Sequence, residues 1–239
     1  MGLFSNPITY AEVLALVGFT VLGGGGKARG ARWALALAGA GVLFSQTRGV
    51  WLATFVALVL WAVVSREKKI GAALVVFVLA VTTAVTVNPA LRRRAQSIGD
   101  RTTNTSNRIR LGLWARSIEL IRENPLRGVG PGRVQIPADA LRWGGSVPGK
   151  IWTETHNMYL QVGLEKGLVG LGFFLWFLIA IGRALWRAQA RDPALSGVFW
   201  GFVALLFAGM TESWFNDSEV VMNLYFALGT ALRAADKKI

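Results

Sequence analysis

The feature that most constrains this 239-residue chain is a series of apolar stretches almost free of charge. Seven stand out, at 13–26, 33–47, 49–65, 70–87, 167–182, 193–211 and 220–232. A spanning α-helix needs about 20 residues, with a range of about 17–25. The third, fourth and sixth stretches qualify directly. The first does so if it starts near Pro7 and accommodates Glu12, and the fifth extends back to Asn157 as a longer helix. The second and seventh are short. Only 16% of residues are charged, against about 25% in soluble domains. Such a chain cannot cover a water-facing globule, which excludes a soluble enzyme, a disordered polymer and a collagen-like fibre. The expected fold class is all-α: a polytopic transmembrane helix bundle of about seven spans, forming a single membrane domain over residues 1–239.

The connectors test that expectation. Lys27, Arg29 and Arg32 follow the first span, and Arg66, Lys68 and Lys69 follow the third. Arg183, Arg187 and Arg191 follow the fifth, and Arg233, Lys237 and Lys238 follow the last. With seven spans these four basic clusters fall on one side, as the positive-inside rule requires. The opposite side receives the turn at 45–48, the segment 212–219 and the long connector 89–157. With the basic clusters inside, the alternation of seven spans puts the N-terminus outside, and no signal peptide is evident at Met1.

The external loop 89–157 carries 12 Lys/Arg against 5 Asp/Glu. Long loops cross a membrane regardless of charge, so the basic excess suggests an anionic ligand at the membrane surface. The net charge of +13 would suggest nucleic acid in a soluble protein. Here the densest basic cluster is external, so no nucleic-acid partner is expected. There is no cysteine and one histidine, which excludes disulfides, thiolate chemistry and multi-histidine metal sites.

Within the loop, Arg92-Arg93-Arg94 reads as an interfacial cluster facing lipid phosphates, and 102–107 as a polar linker. Residues 108–123 form an amphipathic helix with Arg110, Trp114, Ile118 and Ile121 on one side. Arg110 is then either a snorkelling side chain or a buried anion ligand. The helix ends before Pro125, and Gly128-Val-Gly-Pro-Gly132 reads as a sharp turn. Residues 133–152 read as irregular loop. Thr155 is the expected N-cap of the fifth span, placing His156 in its first turn. A neutral imidazole there either hydrogen-bonds or accepts a proton. Arg48, between two apolar helices, is either functional or snorkelled.

Taken together, these segments resemble the O-antigen ligase / Wzy polymerase family, in its C-terminal part. Ser45-Gln-Thr-Arg48-Gly-Val-Trp51-Leu-Ala is similar to the family's S-R-G-x-W-L-A run. Arg108-Ile-Arg110-Leu-Gly-Leu-Trp114 and Asn124-Pro-Leu-Arg-Gly128-Val-Gly-Pro-Gly132 resemble its R-x-x-x-W and N-P-L-x-G-V-G-P-G runs. His156-Asn-Met-Tyr-Leu160 with Glu165-Lys-Gly167-Leu-Val-Gly170 resembles H-N-x-Y-L followed by E-x-G-x-x-G, and Gly2-Leu-Phe4-Ser-Asn6-Pro7 resembles G-x-F-x-N-P.

The resemblance implies a metal-independent, inverting glycosyltransferase of the bacterial inner membrane, with its active loop facing the periplasm and no cofactor. It moves a glycan from an undecaprenyl-diphosphate carrier to an acceptor hydroxyl, in the ligases a sugar of the lipid A core. On this basis Arg48 and Arg110 bind the diphosphate, with Arg108 and Arg116 as second choices. His156 is the general base and Glu154 the runner-up. A polymerase or a protein O-glycosyltransferase would share the donor and differ in acceptor. A transporter should place its polar residues at the membrane midplane, whereas polarity here collects in one loop. A truncated, inactive membrane scaffold is the remaining alternative.

Overall fold

A computed structural model describes residues 6–24, 29–98, 105–141 and 149–236. Lys27, Lys237 and Lys238, the Gly2 and Phe4 positions of the first motif, and residues 102–104 of the expected linker lie outside that set. The described residues are helical apart from turns, loops and one pair of two-residue strands, as composition demands. In order come α1 (Pro7–Gly23), α2 (Ala31–Phe44), α3 (Arg48–Ser65), α4 (Lys68–Val87), α5 (Pro89–Gln96) and α6 (Thr105–Glu123). Strands β1 (Ile136–Pro137) and β2 (Ile151–Trp152) follow, then α7 (Met158–Arg191), α8 (Ser196–Ala208) and α9 (Ser218–Asp236). Helices occupy all seven apolar stretches. Three of them, α3, α4 and α7, are long and apolar enough to cross a membrane, while α1, α2 and the Pro193–Ala208 segment are shorter.

Helix α9, at the seventh stretch, is in neither group, and the sixth stretch also departs from expectation. The sixth stretch, read as long enough by itself, opens as a single 3-10 turn at Pro193–Leu195, and α8 ends at Ala208. Asp192 caps that turn through Ala194 N, and Pro193 fixes the backbone behind it. The other starts follow their caps. Asn6 Oδ1 accepts from Ile8 N and Thr9 N, with Pro7 as first helical residue. Asn88 does the same for α5 through Ala90 N and Leu91 N.

Two compact units result. The first comprises Met1–Ala95, Ala180–Ala208 and Trp214–Ile239, and the second Gln96–Ile179 and Gly209–Ser213. In the first, α1 and α8 touch backbone to backbone. A Cβ on Gly23 would sit 2.2 Å from Gly197 N, and one on Gly197 2.0 Å from Phe19 O. Small residues at such crossings let main chains approach in a medium where the hydrophobic effect does not drive helices together. Around them Trp61 stacks between Phe19 and Trp200 at 5.9 and 6.1 Å between ring centres. Trp51 and Trp214 each give their indole N–H to a carbonyl, Val42 O and Leu205 O. Helix α4 keeps most of its surface outward, consistent with lipid around it.

The second unit holds α6, the strand pair and the start of α7. The pair, with Ile136 opposite Trp152, orders part of a stretch expected to be irregular. Helix α6 begins at Thr105, three residues before its expected start. Its buried face runs along Ile109, Gly112, Leu113 and Ser117. Ile118, expected on the buried side, is 41% exposed. The face is rotated because Gly112 lets Leu141 approach closely, its own Cβ position lying 3.1 Å from Leu141 Cβ. Arg110 and Trp114 are thereby left half-buried beside the core.

The glycine contact between α1 and α8 gives a measurable expectation. Gly197→Ala should destabilise the protein by about 1–3 kcal/mol, read as a lowered melting temperature in detergent. Gly229→Ala, inside α9 with open space around it, should not lower melting, since alanine is the better helix former. Equal melting of both variants would refute the close-packing account.

Candidate functional site

The second unit brings Arg110, His156 and Glu212 together. Arg110 leaves the buried edge of α6 and pairs through Nη2 with Glu212 Oε1. The other oxygen of the same carboxylate, Oε2, lies 3.2 Å from His156 Nδ1. Glu212 is 8% exposed. A carboxylate oxygen at this position accepts the imidazole proton's hydrogen bond in the tautomer that carries it on Nδ1. Nε2 then remains as the acceptor. Arg110 retains further N–H groups for a ligand, because a guanidinium has five donors and no acceptor.

The backbone around His156 explains how it reaches Glu212. Thr155 was expected to cap the fifth span with His156 inside the first turn; the structure corrects this. Asn157 is the cap, its Oδ1 accepting from Leu160 N at 3.0 Å, and α7 begins at Met158. His156 precedes the helix in the left-handed region at φ 51, an uncommon conformation for a non-glycine residue. Thr155, fully buried, is held from three directions. Trp114 Nε1 donates to Thr155 O at 3.0 Å, Thr155 N donates to Gln161 Oε1 at 2.9 Å, and Thr155 Oγ1 donates to Asn157 O. From the other side, Met158 N donates to Gly209 O and Glu212 O, and Asn157 Nδ2 to Met210 O. The Trp152 ring meets the His156 ring edge-on at 6.1 Å.

A second support lies below. Helix α7 breaks at Gly167, whose φ of 69 and ψ of −175 are non-helical. The peptide groups this break involves are answered by residues 125–130: Val129 N donates to Leu164 O, Gly130 N to Glu165 O, and Leu168 N to Pro125 O. Gly128, Gly130 and Gly132 all have positive φ, so the expected sharp turn is present. A Cβ on Gly128 would lie 2.5 Å from Leu164 O, and one on Gly167 2.3 Å from Leu126 O. Both positions require glycine for conformation and for space.

The remaining sequence candidates fall elsewhere. Arg108 is half-buried on α6. Arg116 points along its own helix to Glu119 and Glu123, at 3.0 and 3.3 Å. Its hydrogen bond to Glu119, then the nearby Glu123 charge, raise it above the ordinary arginine value. Glu154 is exposed. Arg48 is 7% exposed at the start of α3, in the first unit. Glu212 went unnoticed in the sequence, where it reads as one end of the connector 212–219. The available signal was topological: span alternation puts that connector on the same side as Arg110 and His156. Among the described residues no three His, Cys, Asp or Glu side chains gather as a metal site.

Comparison with known proteins follows the same segments. The family model described as O-antigen ligase matches residues 33–175. An O-antigen ligase of Salmonella typhimurium is 29% identical over 164 residues, covering 65% of this chain. The match spans 40% of that protein's length.

The two arginine pairs should separate in stability. Glu212→Ala leaves a half-buried guanidinium without its partner and should cost about 1–3 kcal/mol. Arg116→Ala removes a surface pair and should cost less than about 1 kcal/mol. Melting both variants in detergent checks the order; a larger loss from Arg116→Ala would contradict the placement of Glu212.

Proposed function

Since the family model covers more than half of it, the chain belongs to the O-antigen ligase family, and from that premise we propose that it transfers a glycan from an undecaprenyl-diphosphate carrier to an acceptor hydroxyl, a sugar of the lipid A core. The observation that carries this reading is the Arg110–Glu212–His156 cluster. In it a guanidinium and an imidazole share one buried carboxylate, which supports an anion ligand beside a proton acceptor.

In the proposed reaction His156 Nε2 takes the proton of the acceptor hydroxyl. The acceptor oxygen attacks the anomeric carbon from the face opposite the diphosphate. The bond from that carbon to the diphosphate oxygen breaks, and its electron pair leaves with the phosphate, inverting the sugar. Arg110 neutralises the charge that develops there, with Arg108 nearby in sequence as second choice. Glu212 holds the Nδ1 proton and stabilises the imidazolium formed, as a positioning residue acting through His156. The motif around Arg48 supports a second diphosphate ligand there. Arg116 is less suited, being committed to two glutamates, and exposed Glu154 is a weaker candidate for the base than His156. The active loop would face the periplasm from the inner membrane.

Expression in a ligase-deficient strain tests this directly, reading glycan on the lipid A core by gel. The parent should transfer. At equal expression, His156→Ala should lower transfer by on the order of 10²–10⁴-fold, and Arg48→Ala and Arg110→Ala should abolish detectable product. Glu154→Gln and Arg116→Ala should keep most of it. Full transfer by His156→Ala would overturn the base assignment, and a parent without transfer would overturn the ligase reading. Glu212→Gln should lower kcat and move its pH profile with little change in KM, a pattern that a merely structural role would not produce.

A further inference from the structure

A cleft of about 560 Å³ lies within the first unit, among α1, α2, α3 and α4. It exists because α2 rests on α1 while α4 rests on α3, so that α2 and α4 barely meet. Its walls are apolar, small residues such as Gly18, Gly39 and Ala73 alternating with aliphatic ones and with Phe19, Phe44 and Phe77. Rim residues Ala36, Phe44 and Val76 are exposed, so the opening faces sideways, where a membrane's hydrocarbon would be. Lys69 is the one charged residue in the lining. It stands at the end of the cleft, at the start of α4, with exposed Arg66 and Lys68 close by in the chain.

The dimensions and the charge identify an occupant. From Lys69 to Ala80 the lining stretch of α4 rises about 16 Å, at about 1.5 Å per residue. Half of a hydrocarbon core of about 30 Å is about 15 Å. The cleft is therefore one leaflet deep, with cations where the headgroups begin. We propose that it binds one acyl chain of an anionic phospholipid, whose headgroup phosphate rests on Lys69.

Lys69 is free to serve. Its pair with Glu67, at 2.9 Å, joins side chains that are 41% and 38% exposed, and such surface pairs are weak. Clustered Lys and Arg at a membrane surface favour anionic headgroups. A polyprenyl chain is far longer than one leaflet, which suits this short cleft poorly. Thr54 is the other polar residue in the lining, its Oγ1 buried without a hydrogen-bond partner. The site is independent of the glycan-transfer reading.

Native mass spectrometry of the full chain, purified in mild detergent, tests the proposal. The delipidated protein is offered phosphatidylglycerol or phosphatidylcholine. Retention of one phosphatidylglycerol, preferred by about tenfold, is expected. Ala73→Trp fills the cleft and should lower that retention by about tenfold. Val75→Trp, exposed on α4 and outside the lining, should not. Lys69→Glu should remove the preference for the anionic lipid. The proposal is overturned by undiminished retention in Ala73→Trp, by an equal loss in Val75→Trp, or by recovery of a polyprenyl phosphate in place of a phospholipid. Should Ala73→Trp fail to accumulate, Lys69→Glu decides, and an unchanged lipid preference there overturns it.

Discussion

Hydrocarbon offers a backbone no hydrogen-bond partners, so every amide inside a membrane must be satisfied within the protein. Helix is the local answer, and each departure from helix needs a specific substitute. Asparagines at 6, 88 and 157 take the first amides of α1, α5 and α7. At Gly167 the substitute is a whole turn, Gly128–Gly132, whose amides take the carbonyls of Leu164 and Glu165. At the end of α4, the Arg92 side chain donates to the carbonyls of Val85 and Thr86. The same requirement decides where the chain can hold irregular structure, and hence where chemistry is possible.

The candidate site sits at one of those departures. His156 lies just ahead of the α7 cap, in a conformation a helix could not give it, and the hydrogen bonds around Thr155, Asn157 and Met158 keep it there. Glu212 then serves two partners with its two oxygens. One restrains a guanidinium on α6 and the other orients an imidazole. A single carboxylate thus couples the anion-binding and proton-accepting parts of the proposed reaction. The glycine turn below the site supports the start of α7 without touching any reacting group.

Much of this was legible in the sequence, because it depends on neighbours. Pro7 after Asn6 marked the start of α1, Pro125 the end of α6, and the glycines at 128–132 a sharp turn. The backward extension of the fifth span to Asn157 was legible too, since 157–166 has few charges and no proline. The misreadings have different causes. The rotation of α6, which exposes Ile118, comes from Leu141 packing onto Gly112. The shortening of the sixth span comes from a 3-10 turn at Pro193. His156 lies ahead of the helix because Asn157 caps α7, while the Thr155 carbonyl is held by Trp114, 41 residues away.

By itself, then, the sequence determined an all-α membrane chain, the positions of its helices and the identity of its few polar groups. These follow from apolar periodicity, charge scarcity and turn chemistry, all of which act over a handful of residues. Only the tertiary structure decided which polar groups meet. Arg110 and Glu212 are separated by 102 residues, and His156 and Glu212 by 56. A pairing across such distances depends on how helices pack, and packing is set by the close approach of glycines and the shape of the core, which no local pattern encodes.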